Sequence, residues 1–185
     1  MKVIRSEKEF EGSRSVVALG MFDGVHIGHQ KLIREAVKLS GEMAAECVVC
    51  TFDRHPLSVL RPEIAPVPLL PLAENLKKFE ALGADCALVI PFTTGFAAME
   101  PEDFLKMLRD DMRMCAVVAG ENYSFGKKGR GNAQMLLDMQ DAMDYRAVIV
   151  PPVMDGDVMA SSTLIRGLLK NGETEHAERL LSITE

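Results

Sequence analysis

The chain has 185 residues, 48% hydrophobic and 26% charged, with a net charge of −6. That length suits one compact domain with a proper core, and the balance of apolar and charged residues excludes a disordered chain. The acidic balance speaks against a non-specific nucleic-acid or anionic-membrane binder, which shows a basic face. No apolar run approaches the roughly 20 residues needed to cross a bilayer, and residues 1–9 lack the apolar core of a signal peptide; a cytoplasmic location is the expectation.

In chain order, the apolar run Val16 to Leu19 reads as a buried strand, and a glycine-rich turn follows. Ile27, Leu32, Ile33, Ala36 and Val37 then recur at helical spacing and predict a helix over residues 28–40. A second strand is expected over 45–52, a proline-rich loop over 55–71, and a helix over 72–82 closed by Gly83. Strands over 86–90, 115–119 and 146–150 alternate with helices over 101–112, which starts on Pro101, and 133–143. Two helices, 162–170 and 173–181, close the chain around Asn171-Gly172. Five short apolar strands alternating with amphipathic helices imply a doubly wound parallel α/β sheet, covered on both faces. Ligands of such sheets bind outside the carboxyl ends of the strands. The segments 20–29, 52–56, 120–131 and 151–163 all leave such ends and are expected to converge on one rim.

The four cysteines are Cys47, Cys50, Cys86 and Cys115. Cys47 and Cys50 form a CxxC, but in a strand residues three apart point to opposite faces, so the pair cannot share a metal. All four are expected to be reduced core thiols.

The chemistry concentrates in Gly20-Met-Phe-Asp-Gly-Val-His-Ile-Gly-His29. His26 and His29 flank Gly28 at the start of a helix that follows a core strand. Such a helix end offers free N–H donors and positive dipole potential, and it favours phosphate. Imidazoles there can donate to phosphoryl oxygens. Read bare, the same two histidines also fit a metal pair or exposed polar residues. Further on, Ser161-Ser-Thr-Leu-Ile-Arg166 brings Ser162 and Thr163 to within a turn of Arg166. The serines and threonine suit a helix start, and an arginine fork matches phosphate oxygens; alone, this is also an ordinary capped helix. The segment Gly120-Glu-Asn-Tyr-Ser-Phe-Gly-Lys-Lys-Gly-Arg-Gly131 is a glycine-rich basic loop with two aromatics, a pattern that solvated loops share.

Together these segments resemble the adenylyltransferase module of the prokaryotic bifunctional riboflavin kinase/FAD synthetase family, within the HxGH nucleotidyltransferase superfamily. GMFDGVHIGH resembles its GxFDGxHxGH, TFDRHP its TFxxHP, GENYSFGKKGRG its GxxFxFGxxxxG loop and SSTLIR its SSTxxR. The resemblance runs in order along nearly the whole chain, treated as one domain over 1–185 with a Rossmann-like fold. It implies FMN adenylyltransferase activity on ATP and FMN, with Mg²⁺ held by phosphates and water rather than by protein ligands. By the same resemblance His26 and His29 touch the ATP phosphates, and Arg166 with Ser162 and Thr163 holds the departing pyrophosphate. Gly20, Phe22, Gly24 and Gly28 shape the adenylate turn. Asn122 and Phe125 lie on the flavin side with Phe52, His55 and Pro56, while Lys127, Lys128 and Arg130 offer positive charge. Leu164 stands where many relatives carry arginine. The family's riboflavin kinase barrel lies outside this chain, which is expected to act alone or as a piece of a longer protein and to receive FMN from elsewhere. Rival readings are an HxGH enzyme with another phosphorylated acceptor, a non-catalytic flavin or nucleotide binder, and a metal protein built on His26 and His29.

Overall fold

The computed structural model describes residues 1–183. Strand β1 (Lys2–Ile4) is followed by β2 (Ser15–Leu19), helix α1 (Ile27–Met43), β3 (Glu46–Phe52), the short α2 (Leu57–Leu60), α3 (Leu72–Ala81) and β4 (Cys86–Ile90). Then come α4 (Thr94–Ala97), α5 (Pro101–Asp110), β5 (Met114–Gly120), the hairpin β6 (Ser124–Phe125) and β7 (Gly131–Asn132), and α6 (Ala133–Met143). The chain closes with β8 (Arg146–Val150), the hairpin β9 (Met154–Asp155) and β10 (Val158–Met159), α7 (Ser162–Lys170) and α8 (Thr174–Leu181).

The main sheet has the order β1-β4-β3-β2-β5-β8, and every pairing in it is parallel. It therefore has six strands, not five. The extra strand, β1, is three residues long with only Ile4 buried, too short to carry a periodic signal. It exists because its backbone finds the free edge of β4. The central strands β2 and β4 are buried at every residue, as both-face coverage requires. Their side chains alternate between two cores. Val17, Leu19, Val48 and Cys50 face α5 and α6 through Phe104, Leu105, Leu108 and Leu136. Val16, Ala18, Cys47 and Val49 face α1 and α3 through Leu32, Ile33, Ala36 and Phe79. Cys47 and Cys50 thus lie on opposite faces, as alternation demands. Burial holds both thiols protonated, with pKa values pushed up to about 12. Cys115 departs from expectation in being only half-buried, with its Sγ 3.3 Å from the Ser15 carbonyl.

The chain winds β2→β3→β4 to one side, then returns to place β5 and β8 on the other. The direction reverses between β2 and β5, whose carboxyl ends are Leu19 and Gly120. At such a point the flanking loops part and leave a crevice. A third cluster, Ile165, Leu168, Ala177 and Leu180, packs α7 on α8 and meets Ile27 and Leu69 beside that crevice.

Candidate active site

The turn between β2 and α1 is held in a conformation that side chains resist. Phe22 and Val25 have φ of 50° and 49°, and Gly24 between them has φ 81°. A positive φ is especially costly for a β-branched valine. The surroundings over-determine the turn, as such strain requires. Asn75 Oδ1 accepts from the Gly24 amide at 3.1 Å, and Lys78 Nζ donates to the Gly24 carbonyl at 3.1 Å. Gln30 Nε2 donates to the Val25 carbonyl at 3.0 Å, and Thr51 Oγ1 to the Met21 carbonyl at 2.9 Å. Phe22 is fully buried and meets His29 and Phe79 edge-on, with ring centroids 5.2 and 5.6 Å apart.

The turn delivers His26 as the N-cap of α1, its Nδ1 accepting from the Gly28 amide at 3.2 Å. The His26 and His29 rings stack at 3.7 Å. Gly28 permits this: a Cβ there would sit 3.1 Å from His26 Cε1. Burial pushes the His26 pKa down to about 4. His29 is held well below 6.5 by burial and by the neighbouring His26. Both rings are neutral at pH 7. Since His26 Nδ1 accepts, its proton sits on Nε2, which is a donor. His29 Nδ1 is buried without a hydrogen-bond partner among the described residues, a state that natural structures avoid unless something else satisfies it.

Both histidines line a cavity of about 230 Å³ with Gly20, Asn122, Ser161 and Tyr123. It opens at the carboxyl ends of β2, β5 and β8, which contribute Leu19, Gly120 and Val150. The hairpin β9–β10 borders it through Met159, whose Sδ lies 3.4 Å from Asn122 Nδ2. A second cavity, also about 230 Å³, is aromatic: Phe52, Phe92, Phe96, Phe104, Tyr123 and Phe125 line it, with Pro56 at its edge. Its rings meet in a chain of centroid distances from 5.0 to 6.0 Å. Tyr123 lines both cavities.

The other anticipated residues fall differently. Asn122 belongs to the histidine cavity, while Phe52, Pro56 and Phe125 line the aromatic one. His55 lines neither; its Nδ1 accepts from the Leu57 amide at 3.1 Å, and it borders a smaller cavity with Asp23 and Asn75. Ser161, not Ser162, is the cap of α7, accepting from the Leu164 amide at 3.2 Å. Ser162 Oγ instead donates to the Asp23 carbonyl at 3.0 Å, and Thr163 is exposed. Arg166 does not line the histidine cavity. Its Nη2 pairs with Asp23 Oδ2, and its Nε donates to the Val67 carbonyl at 2.9 Å. Lys127 and Arg130 are not free cations: each bonds Glu100 at 2.8 Å. Lys128 borders the aromatic cavity. Sequence reading missed Asp23, Ser161, Phe92, Phe96 and Tyr123. Asp23, Ser161 and Tyr123 lie inside motifs already noted, whereas Phe92 and Phe96 come from the loop after β4 and from α4, outside every motif.

The FAD synthetase family model matches residues 8–164. The chain belongs to the FAD synthetase family. A bifunctional riboflavin kinase/FMN adenylyltransferase from Listeria monocytogenes is 37% identical over 94% of this chain and 55% of its own length. An FAD synthetase from the same organism is 30% identical, covering 90% of this chain and 68% of that protein. The chain spans about half the length of the bifunctional relatives from Listeria monocytogenes and Bacillus subtilis, 55% and 54%. A putative bifunctional relative from Geobacillus thermodenitrificans matches at 33% identity over 97% of its length. Among solved structures, a macrolide-efflux protein from Streptococcus pneumoniae superposes with a TM-score of 0.84 at 32% identity, over 97% of this chain and 60% of that one. That name describes that protein; the match carries the fold of this family member. Among the described residues, no helix is long and apolar enough to cross a membrane and no cluster of three His, Cys, Asp or Glu is placed to hold a metal.

Proposed function

We propose that the chain is an FMN adenylyltransferase, converting ATP and FMN to FAD and pyrophosphate. The observation that carries the reading is the junction of two unlike cavities at Tyr123, one lined by two neutral stacked histidines and one by six aromatic rings. A triphosphate suits the first and a planar isoalloxazine the second. An oxygen of the FMN phosphate attacks the α-phosphorus of ATP. The bond from that phosphorus to the β-bridging oxygen breaks, and pyrophosphate leaves. No protein nucleophile takes part, so catalysis consists of positioning and charge stabilisation. His26 Nε2–H and a ring N–H of His29 supply neutral donors that strengthen as charge gathers on the phosphoryl oxygens. Neutral rings serve here because desolvation makes imidazolium costly in this cavity. Gly20 and Gly28 let the backbone come close to the nucleotide, Arg166 turns from Asp23 to bind the leaving pyrophosphate, and Ser162 holds the turn through the Asp23 carbonyl. Mg²⁺ fits as a substrate-borne ion: Glu121 is the one carboxylate lining the histidine cavity, so phosphates and water supply most of its ligands, and when bound it neutralises phosphate charge.

FMN, the proposed acceptor, is the product of riboflavin kinase, the other activity in the bifunctional relatives' names. The test is incubation with ATP, FMN and Mg²⁺, following FAD and pyrophosphate by chromatography, with CTP and riboflavin in parallel. FAD from FMN and ATP alone is the expected result. FAD missing alongside tight ATP binding would move the acceptor to another phosphorylated compound.

A further inference from the structure

We propose that Asp23 is a positioning residue that parks the Arg166 guanidinium, and that a polyphosphate ligand binds by taking the guanidinium from it. This rests on the phosphate role proposed for Arg166. The side chains of the pair are 9% and 25% exposed, unlike the chain's many surface ion pairs. Asp23 is fully engaged: Oδ1 accepts from the Leu69 amide at 2.9 Å, and Oδ2 holds Arg166 Nη2. Arg166 is turned the same way, with Nε on the Val67 carbonyl. Two of the three guanidinium nitrogens are thus committed to the turn and to the loop before α3, and the residue does not line the histidine cavity.

Each N–H of the planar fork grips one acceptor at a time, so the N–H groups now on Asp23 and Val67 are closed to phosphate until they are released. The parked state therefore lowers the apparent affinity for phosphate by the fraction of time the arginine is unavailable. It also keeps the buried Asp23 carboxylate paired when no ligand is present, which matters because an unpaired buried charge is costly. A ligand must carry enough negative charge to offset that loss, so pyrophosphate and triphosphate displace the arginine where a single phosphate does not. Asp23 sits inside the strained β2–α1 turn, next in sequence to Gly24 and three residues before His26. Occupation of the histidine cavity and release of Arg166 are coupled through that turn.

The test is calorimetric titration of inorganic pyrophosphate, then Mg²⁺-ATP, into the wild type, Asp23→Asn, Arg166→Gln and the double variant. Asparagine keeps the carbonyl oxygen that accepts from Leu69, so the turn retains its anchor. Asp23→Asn is expected to bind pyrophosphate about 3- to 10-fold tighter. That gain is expected to vanish in the Arg166→Gln background. An equal gain in both backgrounds would reduce the effect to charge repulsion and overturn the proposal; so would unchanged or weaker binding in Asp23→Asn. Equal pyrophosphate affinity in wild type and Arg166→Gln would instead remove the phosphate role of Arg166 on which this rests. Should Asp23→Asn not fold, the wild type answers by ¹⁵N NMR. The Arg166 Nε resonance, assigned by its loss in Arg166→Gln, must shift on saturation with pyrophosphate; a static resonance overturns the proposal.

Discussion

The two cavities that share Tyr123 are similar in volume and opposite in construction. The histidine cavity is made by backbone: a strained turn, a helix start and three strand ends bring polar groups together, and both ionisable rings are kept neutral by burial. The aromatic cavity is made by side chains from six separate elements and loops, each ring held by the next. The first should therefore tolerate little change in geometry, whereas the second should tolerate loss of a ring at the cost of affinity. Substitutions in the two cavities should fail in different ways.

The largest effect is expected at His29. His29→Ala removes one phosphate donor and should lower turnover by roughly 10²- to 10³-fold, with FMN affinity and the circular dichroism spectrum unchanged. A loss of FMN binding in that variant would merge the two cavities into one function. Gly28→Ala comes next. Its Cβ would press on His26 at 3.1 Å, tilting the stacked ring and costing roughly tenfold in turnover; unchanged turnover would mean the stacking is incidental. On the aromatic side, the half-buried Phe96 is the ring to remove. Phe96→Ala should weaken FMN binding roughly tenfold, read by flavin fluorescence, and leave the Kd for ATP within error.

A smaller, pH-dependent effect separates the histidine cavity from the rest of the fold. His26 has its folded pKa lowered to about 4 from 6.5. The folded state therefore resists a proton that the unfolded chain accepts. Stability from this residue is fully present above about pH 6.5 and is lost as pH falls toward 4, a total of roughly 3 kcal/mol. Urea unfolding between pH 7 and 4 should show a steeper loss for wild type than for His26→Asn, and parallel profiles would contradict the desolvated ring. The smallest effect is at the exposed Glu100 cluster. Lys127→Ala should change stability by less than about 1 kcal/mol and FMN affinity hardly at all; a large loss of affinity would restore Lys127 as a ligand contact.

Much of the fold was legible because parallel strands buried on both faces are continuous apolar runs, and Val16–Leu19, 86–90 and 146–150 could be read as little else. β1 was illegible because Lys2, Val3 and Ile4 carry no period long enough to detect; it is a strand through its neighbour, not its sequence. The two small hairpins, β6–β7 and β9–β10, are two-residue pairings set by glycine turns and share that fate. The histidine cavity was legible because its residues are contiguous in sequence. The aromatic cavity was only half legible: Phe52, Pro56 and Phe125 lie in motifs, but Phe92 and Phe96 enter through the loop after β4. Arg166 was found as a residue but not as a geometry. Its anticipated place beside the histidines gave way to Asp23, because the buried carboxylate of the β2–α1 turn and the Val67 carbonyl take two of its three nitrogens.

In the proposed reaction the nucleotide in the histidine cavity passes its adenylyl group directly to the phosphate of the ligand in the aromatic one. Initial-rate kinetics with ATP and FMN varied together test it most directly. Direct transfer requires both ligands bound at once and predicts intersecting double-reciprocal lines, with no exchange of labelled pyrophosphate into ATP when FMN is left out. Parallel lines accompanied by FMN-independent exchange would reveal an adenylated enzyme and contradict the account.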